Sequence, residues 1–560
     1  MQARVRDNEV YDAVIVGSGA TGGWAAKQLA EAGLKVAVLE AGSRTTPDQF
    51  GEHVPPYEMK YRDTSPGGVA SPEIARLRPI QATQGACSET NWRWYVNDIE
   101  NPYTTPDDMP FRWIRVRAVG GRSLAWGRQS YRLSDLDFKA ATHDGYGVDW
   151  PIDYAEMAPY YSQVERFIGV SGQAEGLAHF PDSDFLPPMA YTCGDQRLKA
   201  RVEKRFGRLV TIGRTAILTK EHNGRAACHY CGPCNRGCIT YSYYSSPFTT
   251  LRAAEETGRL TLIPDAVASH ITLDKASGRA NGVAYLERFS RTAREIRAKR
   301  VVLCASTLES VRLLLTSAPG GLGNGSGVLG RYIMDHMYGG QVSGVFDDMP
   351  AKPWHGAPRR PNGLFIPRFR NVDKPHTNGL IRGYSYQGAS VPRFAMHASG
   401  FGKRFKQAVH DEADWSVGVH GFVECLPDYD NYCELDPSRV DAWGIPALRI
   451  HMKWRDNEKA LFQDALGQGA EMLEAAGAKK IRQADLADAR LPGFGIHEVG
   501  GARMGDNPKT SVADRWGRLH EVPNVWLMDG AVYPSMGTVN PTLTMMANAV
   551  RCCEKLAADG

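Results

Sequence analysis

Four cysteines stand close together in the middle of the chain, and their thiolates are able to bind metal. They occur within eleven residues, spaced as Cys-x2-Cys-x2-Cys-x3-Cys, at Cys228, Cys231, Cys234 and Cys238. This spacing approximates the run with which bacterial ferredoxins hold an iron–sulfur cluster. Four thiolates can also close a tetrahedral zinc site, and buried unligated cysteine is the third alternative. The spacing predicts a metal centre.

A glycine-rich turn near the N-terminus has the residues needed to bind a dinucleotide. The segment GSGATG, residues 17–22, lies between an apolar run at 11–16 and a helical pattern over 20–32. Glycines let the backbone approach a pyrophosphate, and the helix N-terminus offers it free N–H groups. A second apolar run ends at Glu40, whose carboxylate suits ribose hydroxyls and disfavours the 2′-phosphate of NADP. Nicotinamide and flavin cofactors share this pattern.

The elements around these residues indicate an α/β protein with an antiparallel part. Runs typical of buried strands occur near 259–263, 281–287, 301–304 and 525–528, and helical patterns occur near 248–257 and 541–557. Between about 339 and 490, short alternating segments predict an antiparallel sheet, followed by a helix near 457–476. The stretch from about 45 to 110 is rich in proline, glycine and threonine, and we expect a lid there rather than a packed element.

Composition excludes several classes of protein. The chain has 560 residues, 42% of them apolar and 23% charged, which excludes disorder. Its 66 basic and 62 acidic side chains leave a net charge of +4, which indicates no nucleic-acid or membrane-surface partner. Eleven cysteines are too few for a disulfide scaffold. No run approaches the ~18 apolar residues of a membrane span, and we find no export signal.

Seven segments resemble, in the same order, the glucose–methanol–choline (GMC) oxidoreductases, a family of FAD enzymes. They are YDAVIVGSGATGGWAAKQLAEAGLKVAVLEAG, RVRAVGGRSLAWG, DWPIDYAEMAPYY, RVVLCASTLESVRLLL, GRYIMDH, HEVGGARMG and MDGAVYPSMGTVNPTLTMMANAVR. The resemblance implies an α/β fold (α+β overall), with a discontinuous Rossmann-like FAD-binding domain and an antiparallel-sheet substrate domain. The FAD-binding domain is expected at 1–44, 225–338 and 491–560, with a cysteine-rich insertion near 226–240. Residues 45–224 would supply the lid and flavin-contacting loop, and 339–490 the substrate-binding domain.

The resemblance assigns a catalytic pair, His497 and Asn540, and the chemistry suits both residue types. A neutral imidazole is well tuned to take a hydroxyl proton near pH 7 while hydride leaves for flavin N5. An amide can hold the same hydroxyl in place. Many relatives have a second histidine where this chain has Asn540, so His497 would be the sole base. The competing structural role for Asn540 is a helix N-cap before Pro541.

Further residues are expected to bind FAD by resemblance. No histidine occurs in the loop 116–128, where some relatives attach the flavin covalently, so we expect FAD to be non-covalent. Most of the arginines between 112 and 132 are expected on a solvated face. The expected FAD-binding residues are Gly17, Gly19, Ala20, Thr21, Gly22, Glu40, Arg117, Gly120, Gly121, Ser123, Val267, Ala305, Asp529, Gly530, Asn540, Pro541 and Thr542.

The flavin context favours an iron–sulfur cluster over zinc, because reduced flavin needs an electron exit and zinc has no redox chemistry. The cysteine insertion resembles that of the catalytic subunits of bacterial membrane-associated sugar dehydrogenases, including glucose, fructose and glucoside 3-dehydrogenases. In these enzymes a cluster passes electrons to a cytochrome c. The resemblance leaves [3Fe–4S] and [4Fe–4S] open. It also implies a small partner subunit that carries an export signal, hence a periplasmic location by co-export; otherwise we expect a cytoplasmic protein.

The expected activity is an FAD-dependent dehydrogenase that oxidises a secondary hydroxyl of a sugar or glycoside. The first choice is C3 of a glucoside, and a glucose C1 or gluconate 2-dehydrogenase type subunit is an alternative. A flavin oxidase that uses O2, with structural cysteines, and a non-enzymatic electron-relay flavoprotein are the others. The segment Asn91–Tyr95 and His420 are expected to line the substrate pocket.

Overall fold

The fold is that of a computed structural model, which describes residues 9–55, 58–61, 71–349, 361–393, 400–411, 414–487 and 491–559. Within these ranges the helices are α1 (Ala20–Glu31), α2 (Pro72–Leu77), α3 (Asp135–Phe138), α4 (Ala140–Asp144), α5 (Tyr154–Ile168), α6 (Cys193–Phe206), α7 (Thr250–Glu256), α8 (Leu308–Ser317), α9 (Gly402–Asp411), α10 (Asp456–Ala475) and α11 (Thr542–Ala558).

The strands of the same ranges belong to several sheets. They are β1 (Val10–Tyr11), β2 (Ala13–Val16), β3 (Val36–Leu39), β4 (Thr211–Ile212), β5 (Leu260–Ile263), β6 (Ala266–Leu273), β7 (Ala280–Glu287), β8 (Ala293–Ala298), β9 (Val301–Leu303), β10 (Met337–Val345), β11 (Leu364–Ile366), β12 (Tyr384–Arg393), β13 (Asp414–Val423), β14 (Tyr432–Val440), β15 (Pro446–His451), β16 (Lys479–Gln483) and β17 (Val525–Leu527).

A parallel sheet in the order β17-β9-β2-β3-β5 forms the centre of the expected dinucleotide-binding part. All four residues of β2 are buried, as the apolar run predicts for a strand covered on both faces. Helix α1 returns the chain from β2 to β3 and packs against α11 and α7. The strands share one direction, so the residues that follow β2, β3, β9 and β17 meet at the same carboxyl edge. Ligands of such sheets bind at this edge.

An antiparallel sheet in the order β16-β10-β13-β12-β11-β4 forms the second part. Strands β12 and β13 pair along their whole length, from Tyr384 opposite Val423 to Arg393 opposite Asp414. Helix α10 packs on the sheet, and its Phe462 would lie 3.2 Å from a Cβ placed on Gly340. The antiparallel sheet predicted between 339 and 490 is therefore present. Its edge strand β4 comes from an earlier part of the chain, which short-range patterning could not reveal.

The segment that follows β3 has a packed core of its own in its described residues. Trp92 and Trp94 are 8% and 4% exposed, and they pack with Ile74, Ile114 and Leu124. The expectation of an unpacked lid is wrong for this part of 45–110, because its aromatic and apolar side chains are buried together. Residues 56–57 and 62–70 of the expected lid lie outside the described residues.

None of the helices in the described ranges has both the length and the apolar character needed to cross a membrane. The arginines between 112 and 132 do not form the expected solvated face. Arg115, Arg128 and Arg132 are buried, and Arg132 pairs with the buried carboxylate of Glu165 at 2.5 Å. The ion pair with Glu165 offsets part of the desolvation cost of burying Arg132, the cost on which the expectation of solvated arginines rests.

Candidate active site

A cavity of about 590 Å³ begins at the carboxyl edge of the parallel sheet and reaches the antiparallel sheet. This volume lies in the range of small-molecule sites, ~300–1,000 Å³. The turn after β2 lines one part, and Tyr338 of β10 and Gln387 of β12 line another. The residues expected from the sequence that line the cavity are Gly17, Gly19, Ala20, Thr21, Glu40, Arg117, Gly121, Ser123, Val267, Ala305, His497, Asp529, Asn540, Pro541 and Thr542.

The glycines of the turn after β2 have different physical roles. A Cβ on Gly17 would lie 2.3 Å from the carbonyl oxygen of Cys304, and one on Gly22 would lie 1.9 Å from that of Gly17. A Cβ on Gly19 would meet no atom within 4 Å, since it would point into open space. Helix α1 begins beside Gly19 without a side-chain cap, which leaves N–H groups for an anion. The turn therefore fits the pyrophosphate of a dinucleotide.

Glu40 connects this turn to the loop expected to contact the flavin. Its carboxylate accepts hydrogen bonds from the Ser18 hydroxyl at 2.6 Å and from the Gly42 N–H at 2.8 Å. The Ser18 hydroxyl in turn accepts from the Gly120 N–H at 2.9 Å. Burial raises the pKa of the Glu40 carboxyl above its ordinary value. Its position at the cavity wall fits the recognition of ribose hydroxyls.

Three of the expected cofactor residues lie behind the cavity wall and not in it. Gly22 and Gly120 permit close backbone packing, and Gly120 has a φ of 104°. A Cβ on Gly530 would lie 2.5 Å from Met545. The adjacent Asp529 lines the cavity and accepts hydrogen bonds from the N–H groups of Ser306, at 3.1 Å, and Thr307, at 3.2 Å. Gly22, Gly120 and Gly530 therefore shape the site through packing.

The predicted catalytic pair comes together at the end of the cavity that the antiparallel sheet lines, the expected substrate end. The Asn540 Nδ2 atom lies 3.0 Å from the His497 Nε2 atom. The Asn540 side-chain oxygen accepts a hydrogen bond from the Gln387 amide at 2.6 Å. Burial lowers the pKa of His497 well below its ordinary value, and the neighbouring His336 and the charge of Arg122 lower it further. The imidazole of His497 is therefore neutral near pH 7, as proton abstraction requires.

Asn540 is not the N-cap of the last helix. Helix α11 begins at Thr542, and Pro541 occupies the N-cap position with no side-chain cap. The competing structural role for Asn540 is therefore wrong, because its amide is turned toward His497 and Gln387 instead.

The loop that carries His497 is held by a residue that sequence reasoning missed. The Asp335 carboxylate accepts hydrogen bonds from the backbone N–H groups of Gly493 at 2.9 Å, Gly495 at 3.0 Å and His497 at 2.9 Å. Burial, then the charge of Glu498, raises the pKa of Asp335 to about 7. Ile496, which directly precedes His497, has a φ of 60°. A β-branched residue there is strained, and strained backbone often occurs at functional sites.

Aromatic side chains of the antiparallel sheet and the His497 loop form the substrate end of the cavity. Tyr338 has its ring centroid 5.2 Å from that of Phe422 and 6.5 Å from that of Phe494. Of the aromatic candidates predicted from sequence, Tyr95 lines the cavity, whereas Trp92, Trp94 and His420 do not. The alternation along β13 could have identified Phe422, which lies two residues after His420 and so on the same face of the strand.

The four cysteines do not line the cavity, but Asn235, which directly follows Cys234, does. Cys234 is buried and the other three are half-buried. The Tyr230 N–H points at the Cys228 sulfur and the Ser242 N–H points at the Cys238 sulfur, both at 3.3 Å. Cys228, Cys234 and Cys238 share an apolar cluster with Met189, Ile217, Tyr230 and Tyr243. N–H groups aimed at sulfur stabilise a thiolate whether it binds iron or zinc.

Cys231 also has a second set of neighbours that can bind metal. The Nε2 atoms of His53 and His229 are 2.7 Å apart, and these residues and Cys231 offer ligand atoms within 4.8 Å of one another. Nitrogen and sulfur ligands of this kind suit a single Zn²⁺, so the zinc alternative fits this corner of the segment.

Comparison with known proteins identifies the family. Two family models, each described as GMC oxidoreductase, match residues 11–338 and 427–549. The 2-methyl-1,2-propanediol dehydrogenase of Mycolicibacterium austroafricanum is 28% identical and covers 96% of this chain and 94% of its own length. The fructose dehydrogenase large subunit of Gluconobacter japonicus is 27% identical and covers 98% of each chain. A variant of formate oxidase from Aspergillus oryzae RIB40 has the same fold, with a TM-score of 0.61 at 15% identity over 99% of both chains.

The cavity, its glycine turn and its histidine–asparagine pair agree with these matches, and the family models span more than half of the chain. The chain therefore belongs to the GMC oxidoreductase family, and it is an FAD-dependent enzyme that acts on the CH–OH groups of sugars or alcohols.

Proposed function

We propose that the enzyme is a dehydrogenase that oxidises a secondary hydroxyl of a sugar or glycoside, first of all C3 of a glucoside, and passes its electrons to an iron–sulfur cluster. One observation carries this proposal. A single cavity contains the dinucleotide turn and the His497–Asn540 pair, and Asn235, which directly follows Cys234, also lines it. The position of Asn235 next to Cys234 supports an electron exit from this cavity toward the cysteine segment.

The residues at the substrate end divide the chemistry between them. The His497 Nε2 atom takes the proton of the substrate hydroxyl, and Asn540 Nδ2 donates a hydrogen bond to the same oxygen. Gln387 holds the amide of Asn540 in this orientation. FAD, when bound, supplies the acceptor for the hydride that leaves the carbinol carbon. The substrate loses one proton and one hydride, and the C–OH group becomes a carbonyl.

The lining of the substrate end supports a sugar. The faces of Tyr338, Phe422 and Phe494 provide apolar surface for the C–H faces of a pyranose, and Gln387 adds hydrogen-bonding groups. The name of the fructose dehydrogenase large subunit supports a sugar substrate, whereas the name of the propanediol dehydrogenase supports a smaller diol.

Substrate screening tests this choice. The anaerobic enzyme is mixed with a methyl glucoside, glucose, gluconate and 2-methyl-1,2-propanediol, and the loss of flavin absorbance is followed. We expect the glucoside to reduce the flavin fastest and to yield a 3-keto product by NMR. Faster reduction by the diol contradicts the sugar assignment. Reoxidation by O2 faster than by a ferricenium-type acceptor or a cytochrome c would make the oxidase the better function.

Replacement of His497 by alanine tests the proposed base. Loss of a general base typically costs ~10²–10⁴-fold in rate, and we expect this loss in flavin reduction while FAD content stays at the wild-type level. His270→Ala is the matched control, because His270 is exposed. A His497→Ala variant that keeps its rate within about threefold removes His497 from the chemistry.

We propose two protein partners, one for electron transfer and one for export. These are a c-type cytochrome that accepts electrons and a small subunit that carries an export signal, so that the assembled enzyme works in the periplasm. The relative from Gluconobacter japonicus supports a partner subunit, because it is named a large subunit. Affinity purification from the native host, with fractionation, should recover the chain with a small subunit in the periplasmic or membrane fraction. Recovery of the chain alone from the cytoplasm contradicts this proposal.

A further inference from the structure

We propose that His336 is a positioning residue that fixes the tautomer of His497 and thereby leaves the Nε2 atom of His497 unprotonated. The inference deepens the proposed function, since it rests on His497 as the base. His336 directly precedes β10. It is buried and does not line the cavity. His336 does not touch substrate or cofactor in this arrangement; it acts through His497.

The first step is the orientation of the His336 ring. Its Nε2 atom lies 3.0 Å from the carbonyl oxygen of Gly537. A carbonyl oxygen accepts hydrogen bonds but cannot donate one, so the His336 Nε2 atom carries the hydrogen. His336 is fully buried, and burial lowers its pKa to about 4. The ring is therefore neutral near pH 7, and its Nδ1 atom has a free lone pair.

The second step is the hydrogen bond between His336 and His497. The two Nδ1 atoms are 3.0 Å apart, which is a hydrogen-bond distance. Because the His336 Nδ1 atom can only accept, the His497 Nδ1 atom must donate. A neutral imidazole has one ring hydrogen. The Nε2 atom of His497 is consequently bare.

The other end of the hydrogen-bond chain leads to the same tautomer. The Asn540 oxygen accepts from the Gln387 amide at 2.6 Å, so its Nδ2 group faces His497. An amide Nδ2 group only donates, and it therefore requires an unprotonated Nε2 atom on His497. The hydrogen bonds that link Gln387 to the Gly537 carbonyl therefore all run in the same donor-to-acceptor direction. His497 lies at the centre of this chain of hydrogen bonds.

The surroundings of the pair keep the two rings in place. Phe422 packs against both rings, with centroid distances of 6.0 Å to His336 and 5.8 Å to His497. Asp335, directly before His336, holds the backbone N–H of His497. The charged groups around the pair are Asp335 and Glu498, and Arg122, which pairs with Glu498 at 2.6 Å.

The arrangement also serves the state that follows proton abstraction. When the substrate proton moves to the Nε2 atom, His497 becomes a cation that carries hydrogens on both ring nitrogens. Its Nδ1 hydrogen already points at the lone pair of His336, so the new charge gains a charge-assisted hydrogen bond at Nδ1. The Asn540 Nδ2 group, which can no longer donate to Nε2, then donates to the substrate oxygen.

Two substitutions of His336 separate positioning from packing. His336→Leu fills the space but removes the acceptor, so His497 is free to adopt the other tautomer. His336→Asn offers an amide oxygen near the position of the Nδ1 atom and restores an acceptor. We expect the rate of anaerobic flavin reduction to fall at least ~10²-fold for His336→Leu, with the Kd for substrate unchanged. The rate of flavin reduction in the Asn variant should be roughly tenfold or more above that of His336→Leu.

A spectroscopic measurement does not depend on turnover or on a variant that folds poorly. In ¹⁵N-histidine spectra, protonated and bare ring nitrogens are distinguishable, and the His497 signals are assigned by their loss in His497→Ala. We expect a protonated Nδ1 and a bare Nε2 for His497 in the wild-type protein at pH 7. A protonated Nε2, or wild-type reduction rates in His336→Leu, overturns the inference. If His497→Ala itself reduces flavin normally, the proposed base is wrong, which is a separate failure.

Discussion

At the scale of single residues, burial sets the protonation state of the base. Burial and the neighbouring His336 and Arg122 lower the pKa of His497 below the ordinary histidine value of ~6.5. A base with a lowered pKa stays neutral, and therefore competent, until the pH falls through that lowered pKa. We therefore expect the acid limb of the kcat/KM profile to have its midpoint below pH 6.5. Sugar hydroxyls do not titrate in this range, so the profile reports the free enzyme.

This profile is measured anaerobically with an acceptor whose reduction does not itself depend on pH. A midpoint at or above pH 6.5 contradicts the buried, neutral state of His497. Arg122→Gln is an informative variant, because removal of a nearby positive charge should move the midpoint upward.

The residues predicted from sequence lie in recognisable local patterns, whereas the roles of the missed residues depend on contacts between distant parts of the chain. His497, Asn540 and the glycine turn lie in segments whose local spacing or resemblance is recognisable. His336 and Asp335 lie at the end of the segment GRYIMDH, yet their role depends on contacts with residues more than 150 positions away. Gln387 belongs to a strand whose facing side depends on register. Neither kind of contact is encoded in local spacing.

At the scale of elements, the turn between β2 and α1 offers a matched pair of substitutions. Gly19 has a φ of −65°, outside the left-handed region that favours glycine, it lines the cavity, and a Cβ placed on it would meet no atom within 4 Å. We expect Gly19→Ala to leave the stability of the apoprotein within about 0.5 kcal/mol of wild type. FAD should nevertheless bind at least roughly tenfold more weakly, since overpacking typically costs ~1–3 kcal/mol.

Gly22→Ala should behave in the opposite way. Its Cβ would lie 1.9 Å from the carbonyl oxygen of Gly17, so the turn itself must move. We expect the apoprotein to lose ~1–3 kcal/mol or more of stability. Thermal unfolding of the apoprotein and FAD titration compare the two variants. Equal loss of apoprotein stability in both would contradict the separate roles of the two glycines.

Elements with strong periodicity were predictable, and those held by distant contacts were not. The strands β2 and β3, the helix α1 between them and the helix α10 agree with their apolar patterns because each pattern is long and local. The segment containing Trp92 was misjudged as a lid. Its proline and glycine content indicated a loop, but its buried aromatic side chains stabilise a core without regular elements.

At the scale of the whole molecule, two sheets bring the parts of the site together. The carboxyl edge of the parallel sheet supplies the dinucleotide turn, and the antiparallel sheet supplies Gln387, Tyr338 and Phe422. The cysteine segment joins the cavity through Asn235, whose carbonyl oxygen accepts a hydrogen bond from Asn91. In the proposed function, electrons would leave the flavin on this side of the cavity, toward the cysteines.

The proposed electron route predicts that flavin reduction by the sugar and electron transfer to the cytochrome can be separated. Cys234 is the buried member of the cysteine set, and Cys234→Ser should remove a cluster ligand while leaving the His497 end of the cavity untouched. We expect the variant to lose iron and to reduce cytochrome c at least ~10-fold more slowly, a loss equal to about 1.4 kcal/mol of barrier. Flavin reduction by the sugar in stopped flow should stay near the wild-type rate.

Cys193→Ser is the matched control, because Cys193 is exposed and lies at the start of α6, outside the cysteine segment. It should leave iron content and both rates unchanged. A small acceptor that reaches the flavin directly should still turn over with Cys234→Ser, because it does not need the cluster. Cytochrome reduction at the wild-type rate by an iron-depleted Cys234→Ser enzyme removes the cluster from the electron path. Zinc without iron in the wild-type protein assigns the cysteines, with the adjacent His53 and His229, a structural role instead.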